Sequence, residues 1–173
     1  MDSRQRLVDV PHRVGEGWAL VRREADTAAE QMAIDERLAA QAQRTVRLFR
    51  WRRPAVSLGR RQPVPSWVHE PSLAAHGIEL VERPTGGGIA LHGSDLSFSV
   101  VAPLSSGWGI DALMEMIASS LGRALLTMGV RMEWSAEGDS ATRITYCLTE
   151  LSPYALMVGT RKLGGMAIRR TRA

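Results

Sequence analysis

Three consecutive glycines, Gly86 to Gly88, interrupt a stretch that reads as β-structure on both sides. Ile78 to Glu82 has the pattern of a strand, and Ile89 to His92 and Leu96 to Ala102 resume it, so the glycines fall on a loop between strands. A glycine run gives up side-chain packing and costs backbone entropy on folding; a fold places it where main chain must lie against something that a Cβ would obstruct. That something is a ligand or another strand, while a tight turn or bulge without a ligand accounts for a bare triplet equally well. The flanking residues favour a ligand. Arg83 can direct a cation at a carboxylate or phosphate held by the loop amides, Thr85 adds a hydroxyl, and His92 closes the following strand with a second polar tip. The spacing matches neither the GxxxxGKS/T phosphate loop nor a GxGxxG dinucleotide turn between strand and helix.

The surrounding pattern sets the fold class. A chain of 173 residues, 45% hydrophobic, is long enough for one sizeable core and short for two. Residues 1–17 lack periodicity for most of their length and read as a loose arm, with a single domain over residues 18–173. Trp18 to Arg22 reads as a strand. Thr27 followed by Glu30 is a capping box for a helix running to about Ala42, with Ala28, Met32, Asp35, Ala39 and Ala42 on one face. A carboxylate in an apolar stripe is costly unless paired, so Asp35 should meet an arginine or backbone donors. Val46 to Trp51 and Ala55 to Leu58, separated by Pro54, suggest two strands joined by a tight turn, and Leu73 to His76 a helical turn ended by Gly77. Asp111 to Met128 places Met114, Ile117, Leu121, Ala124 and Met128 on one helical face that should cover the sheet, with Gly129 at the C-cap. Val130 to Trp134, Arg143 to Cys147, Tyr154 to Val158 and Lys162 to Arg169 are further strands, the last two joined around Gly159. Runs of strands with inserted helices and short connections argue for an α+β domain with a central mixed, mainly antiparallel sheet flanked by helices.

Several classes of function are disfavoured by composition. No apolar run reaches the roughly 20 residues of a membrane span, and the N-terminus has no signal-peptide core, which makes cytoplasmic residence the default. Cys147 is the only cysteine, so neither an internal disulfide nor a cysteine zinc cluster can form, and no metal site is expected. The formal charge of +4 gathers near Arg50 to Arg61 and Arg161 to Arg172, a surface suited to acidic proteins; nucleic acid is disfavoured because basic and aromatic residues do not interleave as a stacking platform needs. A lone cysteine is ordinarily a small buried apolar residue. Lys162 lies fifteen positions after it in TRKLGG, where a turn at Gly159 can fold the strand back; an ammonium there would favour the thiolate and the neutral amine could shuttle a proton. An ordinary surface lysine is the other reading.

Four blocks in order resemble the lipoate-protein ligase and octanoyltransferase family, which is related to biotin protein ligases. DTAAEQMAIDERLAA resembles its first helix, and WRRPAVSLGRRQ its Trp-x-x-Pro-x-Val-Ser-x-Gly-x-x-Gln block. VERPTGGGIALHGSDLSFSV resembles its central Arg-x-Thr-Gly-Gly motif with the following His, and CLTELSPYALMVGTRKLGGMAIRR its Cys and Lys-x-x-Gly-x-Ala region. The resemblance runs from about Trp18 to the last residue and is greatest to the cysteine-dependent octanoyltransferases, whose nucleophile, tyrosine cluster and lysine match Cys147, Tyr154 and Lys162. It implies a biotin/lipoate protein ligase-like fold that stops at Ala173, short of the family's usual C-terminal part. It implies transfer of octanoyl or lipoyl from acyl carrier protein through a Cys147 thioester to a lysine of a lipoyl-domain protein, such as the glycine cleavage H protein. Lys162 would activate the thiol, and Arg83, Thr85, Gly86, Gly87, Gly88, His92 and Gly165 would line the acyl site, with no cofactor. The same family contains ligases that use ATP and Mg to make a lipoyl adenylate, and a non-catalytic acyl- or carrier-binding relative is a third reading. Glu82, Gly93, Met166 and Ile168 depart from the family pattern.

Overall fold

A computed structural model describes residues 12–14, 17–22, 26–103, 109–134 and 155–171. Within the stretch read as an arm, His12–Val14 (β1) pairs antiparallel with Trp18–Arg22 (β2). The capping box forms as expected. Thr27 Oγ1 accepts the Glu30 N–H at 3.3 Å and Glu30 Oε2 accepts the Thr27 N–H at 3.0 Å, which starts helix Ala28–Gln41 (α1). The next free amide of that helix end, on Ala28, is taken by the carboxylate of Glu79, a negative charge placed at the positive end of the helix. Ala42 closes the helix in the left-handed region at φ 50°.

Thr45–Phe49 (β3) runs parallel to β2 and antiparallel to Ser97–Val101 (β7), giving a four-stranded sheet in the order β1-β2-β3-β7. Ala55–Leu58 (β4) belongs to a different sheet, between Glu79–Glu82 (β5), parallel, and Ala90–His92 (β6), antiparallel. The expected hairpin between the third and fourth strands therefore does not form. Trp51 instead bridges to Asp26 beside the first helix, which diverts the chain from one sheet to the other. The single central sheet expected from the pattern is divided, and Glu133–Trp134 (β8), Leu156–Val158 (β9) and Arg161–Gly164 (β10) make a third sheet, all antiparallel. Pairing is mixed and mainly antiparallel, with helices beside the sheets, so the α+β class stands. The last strand ends at Gly164 and does not reach Arg169, since a bulge interrupts its pairing between Lys162 and Gly164. The strand read at Arg143 to Cys147 lies outside the described residues.

Two apolar clusters hold these layers. Ala28 and Met32 of α1 meet Phe49, Trp51 and Ala55, while Val56, Leu58 and Ile89 pack with Leu73 of the short helix Glu70–Ala75 (α2) and with Ile78 and Leu80. Because strand side chains alternate faces, β4 is buried on both, with Ala55 in the first cluster and Val56 and Leu58 in the second. Asp35 meets the arginine that its position required. Arg47, fully buried on β3, donates to Asp35 Oδ1 at 2.6 Å and to Gln31, and Ser99 Oγ donates to the same Asp35 oxygen at 2.7 Å. Burial pushes the Asp35 carboxyl above its ordinary value and outweighs the lowering by Arg47 and Ser99. The helix Ile110–Thr127 (α3) buries Leu113, Met114 and Ala118, whereas Ala124 and Met128, assigned to its core face, are exposed. Its buried stripe is shorter than the periodicity suggests and confined to the N-terminal half. No helix among the described residues is long and apolar enough to cross a membrane.

Candidate active site

The alternation that buries β4 on two faces also decides where its one polar side chain goes. Ser57 shares a face with Ala55, and Ala55 stands opposite His92 in the antiparallel register of β4 and β6. Ser57 Oγ therefore lies 2.9 Å from His92 Nε2 although Ser57 is only 1% exposed. The other imidazole nitrogen, Nδ1, lies 2.9 Å from Asp95 Oδ2. The ring stacks on Trp51, with centroids 4.0 Å apart and planes 19° from parallel, and Trp51 Nε1 donates to Ser97 Oγ at 2.9 Å. Asp95 also accepts from the Gly93 N–H at 2.7 Å and from Ser97 Oγ at 3.0 Å. Burial opposes its charge, but the bonds from His92, Gly93 and Ser97 together with the His92 charge outweigh that and hold the carboxyl well below the usual range.

Arg83, at the exit of β5, reaches back across the glycines. Its Nη1 donates to the Ser57 carbonyl at 3.0 Å and to Ser57 Oγ at 3.2 Å, while Nη2 donates to the carbonyls of Gly86 at 2.8 Å and Gly88 at 2.6 Å. The guanidinium fork is thus engaged on the loop itself, which changes the expectation that it points at a bound anion. With those carbonyls drawn to Arg83, the N–H groups of Thr85, Gly86 and Gly87 donate no hydrogen bond among the described residues. The triplet is also locked from its other side. A Cβ on Gly59 would stand 1.9 Å from the Gly87 carbonyl oxygen, and Gly87 itself has φ +96°, so close approach explains the first glycine and backbone conformation the second. The Arg60 N–H bonds the Thr85 carbonyl at 2.8 Å. Glu82 acquires a role here: its Oε1 accepts the N–H of Arg61 at 3.1 Å, pinning a turn in which Arg61 sits at φ 59°. Gly93, another departure, is the residue whose N–H meets Asp95.

The sequence-predicted residues fall into two groups. Arg83 and His92 meet at Ser57, and Arg83 also holds the carbonyls of Gly86 and Gly88, while Gly87 abuts Gly59 and the Thr85 carbonyl accepts the Arg60 N–H. Lys162 lies on β10, half-buried and paired with Met157 across the Gly159 turn, in the hairpin the sequence suggests. The strand leads through Gly165 to Ala167, whose Cβ lies 4.0 Å from the point a Cβ on Gly87 would occupy, so the Lys-x-x-Gly-x-Ala segment runs against the glycine loop. Cys147 and Tyr154 lie outside the described residues. Cavities of about 240 Å³ beside Asp26, Glu30 and Arg37, and of about 290 Å³ beside Gly122, Leu126, Met132 and Trp134, do not border the loop. Among the described residues, no group of three or more His, Cys, Asp or Glu side chains is placed to hold a metal ion. Ser57, Gly59 and Asp95 were not singled out in the sequence as site residues. The available signals were a lone polar residue in an otherwise apolar strand and an acid three positions after His92.

The arrangement of helices and sheets shares the fold of solved lipoate-protein ligase structures. A T. acidophilum protein solved with lipoic acid bound superposes with a TM-score of 0.71 at 24% identity, covering 87% of this chain and 62% of that one. Lipoate-protein ligase A bound with ATP gives 0.70 at 23% identity, covering 88% and 61%. The chain belongs to the lipoyl protein ligase A/B catalytic domain family, whose model matches residues 27–173. It is 30% identical to Octanoyltransferase LipM of Oceanobacillus iheyensis, covering 91% of this chain and 60% of the relative. It is 33% identical to Octanoyltransferase LipM of Symbiobacterium thermophilum, covering 96% of this chain and 61% of the relative. The chain thus spans about 60% of the length of these curated relatives.

Proposed function

We propose that the chain carries the active centre of an octanoyltransferase that moves an octanoyl or lipoyl group from acyl carrier protein to a lysine of a lipoyl-domain protein. The observation that carries this reading is the glycine loop braced by Arg83 from within, with backbone N–H groups at Thr85, Gly86 and Gly87 that donate to no partner among the described residues and could receive an acyl carbonyl. Relatives named Octanoyltransferase LipM, similar over most of the chain, support the choice of reaction. A structural neighbour described as a bi-partite lipoate protein ligase with its E2 lipoyl domain, 25% identical with a TM-score of 0.59, of which this chain covers 48%, supports a lipoyl domain as the acceptor.

In this reading the Cys147 thiolate attacks the carrier thioester, and loop amides stabilise the tetrahedral oxyanion. The carbon–sulfur bond to the carrier breaks, and the departing thiol takes a proton from the Lys162 ammonium. The amine of the target lysine then attacks the Cys147 thioester and gives its excess proton to the neutral Lys162 amine; an amide forms, the carbon–sulfur bond breaks and Cys147 leaves as the thiolate. Arg83 shapes the loop, and His92 and Gly165 complete the site. The steps need neither nucleotide nor metal. The reading assigns the work to the cytoplasm, with acyl carrier protein as donor and lipoyl-domain proteins, the H protein among them, as acceptors, and the arginine surplus suits their acidic surfaces.

Intact mass of the protein after incubation with octanoyl-carrier protein should show one octanoyl adduct, absent in Cys147→Ser. A folded sample that forms no adduct rejects the reading. Lipoate-dependent adenylate formation from ATP that survives Cys147→Ser would establish the ligase reaction instead.

A further inference from the structure

Ser57, His92 and Asp95 follow one another at hydrogen-bond distance in the order of a hydrolase triad, yet the hydroxyl at its head cannot serve as a nucleophile. Ser57 is buried and a cation donates to its oxygen, which withdraws the lone pair that an attack would use. The chain has another direction. A carboxylate only accepts, so His92 Nδ1 carries the proton that faces Asp95. In the neutral imidazole Nε2 is then an acceptor, and the Ser57 hydroxyl donates to it. That turns the Ser57 oxygen lone pairs toward Arg83 Nη1, and every donor from guanidinium to carboxylate points the same way. Reversing the imidazole would set Nε2–H against a hydroxyl that already receives the guanidinium.

We propose that Asp95 is a positioning residue for the glycine loop: by fixing the Nδ1–H form of His92 it orients Ser57, and through Ser57 it holds the Arg83 fork on the carbonyls of Gly86 and Gly88. Asp95 sits on the segment before β7, and the loop precedes β6. The link between them therefore passes through β4, which no local sequence motif spans. The effect on the loop stands alone, and its consequence for catalysis rests on the acyl-transfer reading above. Trp51 supports the same geometry by stacking on the imidazole, which leaves the ring little freedom to turn.

Two measurements test this. Long-range ¹⁵N–¹H NMR on the unmutated protein should show His92 with a protonated Nδ1 and a bare Nε2; a proton on Nε2, whether or not Nδ1 also carries one, overturns the proposal without any variant. A double-mutant cycle then uses Ser57→Ala and Asp95→Ala, with Asp95→Asn in place of the latter should it not fold. Amide exchange at Arg60, whose N–H bonds the Thr85 carbonyl of the loop, should quicken by about tenfold in each single variant, the scale of one hydrogen bond. The double variant should be no faster than Ser57→Ala, because the influence of Asp95 travels through Ser57. Additive acceleration would mean that Asp95 acts on its own turn at Gly93 and would sink the proposal. Thioester formation read on the same samples should lose kcat with little change in KM. Coupled exchange in a protein that forms no thioester overturns the acyl-transfer reading and leaves the positioning role intact.

Discussion

Adding one methyl group at Gly59 tests the packing on which the candidate site depends. The new Cβ of Gly59→Ala would lie 1.9 Å from the Gly87 carbonyl oxygen, against 3.4 Å or more for ordinary contact, so the loop must retreat by about 1.5 Å. That oxygen is main chain and has no rotamer with which to escape. It also lies between the two carbonyls that Arg83 holds, at 2.8 and 2.6 Å, so the retreat strains both bonds. Overpacking of this kind costs about 1–3 kcal/mol. A displacement above 1 Å in a group that positions a reacting carbonyl costs on the order of 100-fold in rate. Gly86→Ala is the natural comparison, because a Cβ there meets nothing within 4 Å. Its unfolding free energy in urea should stay within about 0.5 kcal/mol of the parent, while its octanoyl-thioester rate falls if the acyl group rests on that face. Urea unfolding followed by far-UV circular dichroism, with intact-mass time courses of acylation, separates the two effects. A Gly59→Ala protein with parental stability and parental rate would refute the contact, and a Gly86→Ala protein with the parental rate would remove the acyl group from the loop.

Arg47→Met leaves Asp35 partly buried without its cation and should cost about 3–5 kcal/mol in urea unfolding, the penalty for breaking a buried pair from one side. Thr27→Ala removes the α1 N-cap and should cost about 1 kcal/mol by the same measurement, with acylation unaffected once the protein is folded. The two shifted carboxyls act on stability in opposite senses. Asp95 is held below its ordinary 3.8, so its contribution is present above that pH and lost as the pH falls through the lowered value. Asp35 is raised above 3.8, so its ionisation costs stability as the pH climbs from there to the raised value. Urea midpoints against pH should accordingly show a flatter acid limb in Asp95→Asn and a steeper one in Asp35→Asn; unchanged profiles would contradict the assigned environments.

Much of the fold was legible because its signals are local. Thr27 and Glu30 satisfy each other three residues apart, so the start of α1 could be read from the string of letters. The strands around the glycines and the turn at Gly159 declare themselves by alternation and by the glycine that needs positive φ. Asp35 announced a buried partner because a lone carboxylate in an apolar stripe has no cheaper resolution, although Arg47 as that partner was not specified. The division into three sheets was not legible, since Val46 to Trp51 and Ala55 to Leu58 carry the same local pattern whether they pair with each other or separately. Only long-range competition, with β7 and β2 claiming one strand and β5 and β6 the other, separates them.

The site divides along the same line. Residue types alone placed Gly86 to Gly88 on a loop between strands and, in company with the other three blocks, showed a resemblance to the lipoyl ligase and transferase family. Tertiary structure decided which partners Arg83, Glu82 and Ser57 take there. Arg83 faces inward to the carbonyls of Gly86 and Gly88, Glu82 pins Arg61, and Ser57 joins the loop to His92 and Asp95, because β4 lies between two other strands and sends alternate side chains to opposite faces. Hydrogen bonds are directional and reach only about 3 Å. Their partners are therefore set by which strands the fold makes neighbours, and the order of residues along the chain does not contain that.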